Sequence, residues 1–120
     1  MKDIETEVDI DRWMRSFYVK LLNDKITAPK FLELDLETHF PKLVNFWAFV
    51  LLDKEGYKTN VFDKHIHLKL EKEHFTTWLH YFNESTNELF SGEKADTAKL
   101  RVKLIATTLY HKLHGEYEVF

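Results

Sequence analysis

Apolar residues recur at helical spacing from near the start of the chain. Ile10, Trp13, Met14, Phe17, Tyr18, Leu21 and Leu22 form an i, i+3, i+4 stripe through "DIDRWMRSFYVKLLND". The stripe predicts a first helix with Asp9 or Asp11 as its cap and Asn23-Asp24 at its end, and it puts Tyr18 on the buried side. "KITAPKFLEL" reads as a turn with a short helix, because Pro29 interrupts anything longer. Leu43, Phe46, Trp47, Val50 and Leu51 give a second long helix over about 36–52, with Pro41 expected in the first turn and Thr38 as a cap. His39 falls at that start, on the side that leads into Leu43 and Phe46. A third helix over about 73–90 carries Phe75, Trp78, Leu79, Phe82, Leu89 and Phe90, and Gly92 is expected to stop it. A fourth, over about 94–113, carries Ala95, Ala98, Val102, Ile105, Ala106, Leu109, Tyr110 and Leu113. Between the second and third helices, "DKEGYKTNVFDKH" reads as a loop around Gly56, and "DKHIHLKL" as a short helix plus loop. Four long helices without an internal repeat make one all-α domain over 1–120, with 1–8 expected as a loose N-terminal segment.

Composition agrees with few, long elements: Gly and Pro number only 3 and 2 in 120 residues. A net charge of −3 argues against a nucleic-acid partner. The absence of cysteine excludes disulfides, thiolate metal sites and a cysteine nucleophile. The first residues lack the apolar run of a signal peptide, and "LVNFWAFVLL" is too short to cross a bilayer. A cytoplasmic protein with no membrane partner is the expectation. The unusual quantity is the aromatic content, 10 Phe, 5 Tyr and 3 Trp.

Candidate chemistry concentrates in "DKHIHLKLEKEHFTTWLHYF", which holds His65, His67, His74 and His80, four of the seven histidines. Glu71 and His74 have the ExxH spacing of di-iron helical bundles, but those need a second copy and two further glutamates, and no second copy occurs. No GxSxG, Cys–His pair or glycine-rich phosphate loop points to hydrolysis or nucleotide chemistry. The plain reading of His74, His80, His111 and His114 is solvated or half-buried helix faces. A haem is the remaining option: its iron takes a neutral imidazole as axial ligand, and its pocket is apolar and rich in aromatics. Tyr18, His39, Phe46, Trp47 and Trp78 lie on the inner stripes of three different helices. The phenol, imidazole and indole tips among them need hydrogen-bond partners if buried, and a small bound ligand would be one. A well-filled aromatic core explains the same residues without any ligand.

The order and spacing of "SFYVKLLNDKITAPKF", "HFPKLVNFW", "KHIHLKLEKEHFTTWLHYF", "NELFSGE" and "AKLRVKLIATTL" resemble the truncated haemoglobins of group III, from about residue 13 to 113. The resemblance implies a shortened globin, a two-over-two helical sandwich enclosing haem b. It implies His65 as the proximal iron ligand, with His67 a rival two residues on, and a distal set of Tyr18, His39 and Trp78. Phe46 and Trp47 match pocket-wall aromatics, Phe31 and Ile105 haem-packing positions, and Lys64 a partner for a propionate. Thr59 and Val61 stand where relatives often have glycine and proline. Expected ligands are O2, NO and CO. Expected chemistry is redox, peroxidase-like or NO-detoxifying, fed by a reductase, rather than O2 delivery. The alternative function is a helical interaction module that keeps the globin pattern without haem.

Overall fold

The computed structural model of the chain describes residues 1–56 and 69–120. Five helices follow one another: α1 (Glu7–Leu22), α2 (Ala28–Phe31), α3 (Leu36–Leu52), α4 (Lys72–Leu89) and α5 (Glu93–His114). Among the described residues there is no strand. The main packing is α1 on α3, α4 on α5, and α1 across α4, while α3 and α5 touch only lightly. Two helix pairs are thus joined through α1, and a gap is left between α3 and α5. No described helix is long and apolar enough to cross a membrane.

The helix ends refine the sequence reading. α1 starts at Glu7, earlier than the apolar stripe implied, because Thr6 caps it: the Asp9 N–H donates to Thr6 Oγ1 at 3.1 Å and the Thr6 N–H donates back to Asp9 Oδ2 at 3.1 Å. Asp9 is therefore the returning partner of the cap, not the cap itself. Asp35, rather than Thr38, precedes α3, and Pro41 stands inside that helix beyond its first turn. α4 ends at Leu89, with Phe90 extended, so Gly92 does not stop it. Gly92 instead precedes α5 at φ +146, where a Cβ would fall 2.5 Å from Asp3 Cγ. The stretch 57–68, including the expected short helix, lies outside the described residues.

The expected loose N-terminal segment is packed. Ile4 is fully buried, and the Ser91 N–H donates to the Lys2 carbonyl at 3.0 Å. Asp3 accepts from the Lys94 and Ala95 N–H groups at 2.8 and 3.0 Å and so caps the last helix from the far end of the chain. Lys2 Nζ lies 2.8 Å from Asp9 Oδ2. Sequence patterning missed this because a single buried isoleucine has no periodicity.

Trp13 occupies the crossing of α1 with α3 and α4. Its ring lies 5.3 Å from Trp47, 5.1 Å from Phe82 and 6.5 Å from Phe90. Its indole N–H donates to Thr86 Oγ1 at 2.9 Å, and the Thr86 hydroxyl donates onward to the Phe82 carbonyl at 2.7 Å. Both polar groups are satisfied without water. Truncating such a residue costs about 3–5 kcal/mol, a large part of the roughly 5–15 kcal/mol that holds a small domain.

Asp9 gives the fold an acid-sensitive anchor. Partial burial pushes its carboxyl up, but the Lys2 ammonium and the Glu5 and Thr6 N–H groups outweigh this and hold it at about 2. A carboxyl depressed on folding stabilises fully above its unfolded value near 3.9, and the benefit is lost as the pH falls towards about 2. Urea midpoints should therefore drop between about pH 5 and pH 2.5 in the wild type and drop less steeply in Asp9→Asn, which starts lower. Parallel acid profiles for the two proteins would count against this anchor.

Candidate distal pocket

The first turns of α3 carry His39 and Phe40 over the middle of α1, where Tyr18 emerges. Tyr18 Oη and His39 Nε2 are 2.7 Å apart. Phe17, Phe31, Phe40 and the His39 ring surround the phenol edge-on at 5.3–5.9 Å. Tyr18 is only 2% exposed, and burial pushes its hydroxyl well above the usual phenol range, so it stays protonated. A neutral imidazole carries one N–H, which gives this bond two directions. With the His39 proton on Nδ1, the phenol donates to Nε2. With it on Nε2, the imidazole donates, and the phenolic O–H is free to point elsewhere.

Beside this pair lies a cavity of about 30 Å³, lined by Met14, Phe17, Tyr18, Leu43, Phe46, Trp47, Trp78, Phe82 and Ile105. It has room for about one water-sized molecule. Tyr18, Trp47 and Trp78 are the lining residues that carry a polar group, a phenol and two indoles; the others are apolar. Trp78 is held by Phe17 and Phe82, at ring distances of 6.1 and 6.4 Å. Phe46 and Ile105 also belong to a second, larger space of about 610 Å³ in the gap between α3 and α5. That cleft adds Phe49, Val50, Leu104 and Thr108 to its wall and has Asp53, Lys54, Glu55 and Arg101 at its rim. Its size lies within the range of cofactor sites, about 300–1,000 Å³.

The structure thus brings Tyr18, Phe46, Trp47, Trp78 and Ile105 together around one cavity and joins His39 to Tyr18. Phe31 does not line it; its ring stands behind Tyr18 at 5.9 Å. Lys64, His65 and His67 lie outside the described residues. Sequence reasoning missed Arg101 and Thr108 on the α5 side of the cleft; their spacing from Ile105, at i−4 and i+3, was the available signal.

The remaining described histidines have structural partners. The Glu71 N–H donates to His74 Nδ1 at 2.8 Å, so the ExxH pair is a helix cap. His74 is more buried than expected, at 8% exposure. His80 is surface-exposed, 3.2 Å from Glu84. His111 stacks on Tyr117 at 3.9 Å, and His114 Nε2 lies 2.8 Å from the Leu70 carbonyl.

A helical sandwich paired two over two, with a small aromatic-lined cavity that shares two wall residues with a larger cleft, defines a shortened globin. No protein-family model matches the chain. It is 30% identical over 112 residues to the group 3 truncated hemoglobin ctb of Campylobacter jejuni, covering 88% of each protein. The crystal structure of the group III truncated hemoglobin from Campylobacter jejuni superposes with a TM-score of 0.82 at 30% identity, over 95% of this chain and 96% of that one. The chain belongs to the truncated haemoglobins, in their third group. Haem binding follows from that membership.

The burial of Tyr18 can be read directly. Phenolate absorbance in a rising pH titration should show a fraction ionising above the ordinary value of about 10, and Tyr18→Phe should remove one phenol from that fraction.

Proposed function

We propose that this chain is a haem b protein that holds O2, NO or CO in the cavity beside Tyr18 and Trp78, and that it serves redox or nitrosative chemistry rather than O2 delivery. The observation that carries this reading is that Tyr18, a phenol kept protonated by burial, and Trp78 line one small cavity that shares two wall residues with a cofactor-sized cleft. The cleft suits a flat apolar ring: Phe46, Val50 and Ile105 offer it contact surface. In this reading His65 would hold the iron, Lys64 would pair with a propionate, and Phe31 supports the pocket through Tyr18. When bound, the haem would supply an iron able to bind a diatomic ligand.

The chain's own residues then set how long that ligand stays. Tyr18 and Trp78 can each donate one hydrogen bond into the cavity, worth about 1–2 kcal/mol apiece. Two such bonds slow escape by roughly ten- to thousand-fold, which disfavours release on demand. His39 governs the Tyr18 donor: with its proton on Nε2 it donates to the phenol oxygen and leaves the O–H for the ligand. In that position it also stands one hydrogen bond from the cavity, able to pass a proton to Tyr18 as Tyr18 gives one up. Aromatic side chains on every side keep bulk water from competing for these donors. Repeated turnover would require a reductase.

An absorption spectrum of the purified protein with added haem is the test of the cofactor. A Soret band in the wild type that is lost or shifted in His65→Ala is expected; a colourless wild type would sink the reading and leave a helical interaction module. Stopped-flow O2 dissociation tests the pocket. Tyr18→Phe and Trp78→Phe should each speed it, together by roughly ten- to thousand-fold, and unchanged rates would remove the two donors from the account.

A further inference from the structure

The outer face of α5 differs from the rest of the surface. Residues 97–114 contain Lys99, Arg101, Lys103 and Lys112 and no carboxylate, although the whole chain is at −3. Between these cations two leucines face solvent, Leu100 at 68% and Leu104 at 63% exposure. Lys99 is occupied by Asn87 at 2.8 Å and Asp96 at 3.5 Å. Arg101 and Lys103 have no carboxylate within ion-pair distance among the described residues. Asp53 and Glu55 share the cleft rim with Arg101 without pairing to it, and Glu118, beside Lys103, is drawn to Lys72 at 2.9 Å. A groove of about 610 Å³ runs along the same face, between Leu100, Leu104 and the Tyr117 and Val119 side chains of the C-terminal segment. Leu104 lines both this groove and the cleft between α3 and α5.

Exposed leucines flanked by unneutralised cations are the composition of a docking patch, an apolar centre inside a charged rim. We infer that this face of α5 docks an acidic one-electron donor protein. The inference rests on the haem reading above, which requires a source of electrons. Charge complementarity selects the partner: an acidic surface would be steered to residues 97–114, the longest run of the chain that has cations and no acids. The position of the patch also suits the task, because a partner seated on Leu100 and Leu104 stands at the outer edge of the cleft whose inner wall is Ile105 and Phe46. In each encounter the donor loses one electron and the haem iron gains it, Fe(III) becoming Fe(II), with no bond made or broken.

The probe is an acidic flavodoxin, titrated in oxidised form into the isotope-labelled full chain at low salt and followed by amide NMR shifts. Shifts confined to the outer face of α5 are expected, weakening at least tenfold in Arg101→Glu/Lys103→Glu and on raising the salt, and weakening also in Leu100→Ser. The control Lys25→Glu/Lys30→Glu, which makes the same change in net charge elsewhere, should keep wild-type binding. Reduction of the haem-loaded protein by photoreduced flavodoxin should slow in the same order as binding. Equal losses in both double variants, shifts mapping to another face, or no binding at all would overturn the inference. So would a salt-insensitive self-association that Leu100→Ser abolishes, since a second copy would then cover the patch. The two readings fail separately: a missing Soret band defeats the haem proposal, whereas a normal band with no flavodoxin binding defeats only the docking face.

Discussion

The fold depends on what Trp13 does at the crossing of α1 with α3 and α4. One indole fills the space between three helices, and its N–H is taken up by Thr86, whose own hydroxyl is passed on to the backbone of α4. That contact sets how far α1 stands from each partner. Tyr18 lies five residues further along α1, just over one turn, and its distance from α3 is set by the same spacing. The 2.7 Å approach to His39 is therefore a downstream result of the Trp13 packing. Because α1 supplies the contacts that join the two helix pairs, α3 and α5 are left to touch only lightly. The cleft between them is the space that this arrangement leaves unfilled.

Much of this architecture was legible along the chain, for a physical reason. A helix that packs on one side must repeat its apolar residues at 3.6-residue intervals, so α1, α3, α4 and α5 announced themselves in their stripes. The inner positions of Tyr18, Phe46, Trp47, Trp78 and Ile105 followed from the same periodicity. Helix ends were less legible, since caps depend on a few side-chain hydrogen bonds rather than on a pattern. Thr6 does not stand out because Asp9 and Asp11 are also good caps, and a glycine between two helices can serve either, so Gly92 fits the end of α4 as well as the start of α5, where it is found. Pro41 was expected in a first turn, yet α3 tolerates it further in.

Contacts between residues distant in sequence left no trace in the pattern. Nothing in "MKDIET" announces that Asp3 reaches the start of α5 or that Ile4 is buried. The ExxH spacing of Glu71 and His74 has the form of a metal motif, yet its use is a cap, because the His74 ring accepts from the Glu71 backbone. Arg101 was overlooked for a related reason. A cation on a helix surface is ordinary until the opposite wall of a cleft is known, and that wall, α3, lies about fifty residues away in sequence.

The bond from Asp3 to the start of α5 has a consequence for how the chain comes together. The two ends of this contact are separated by 91 and 92 positions. A chain growing from its N-terminus exposes Ile4 and Asp3 first and completes their binding place only after residue 95 has been made. Closing so long a loop is slow relative to forming the helices themselves. The final locking of this globin is thus a late event in which the oldest part of the chain meets nearly the youngest. The side chain at position 92 must be no larger than hydrogen for them to meet.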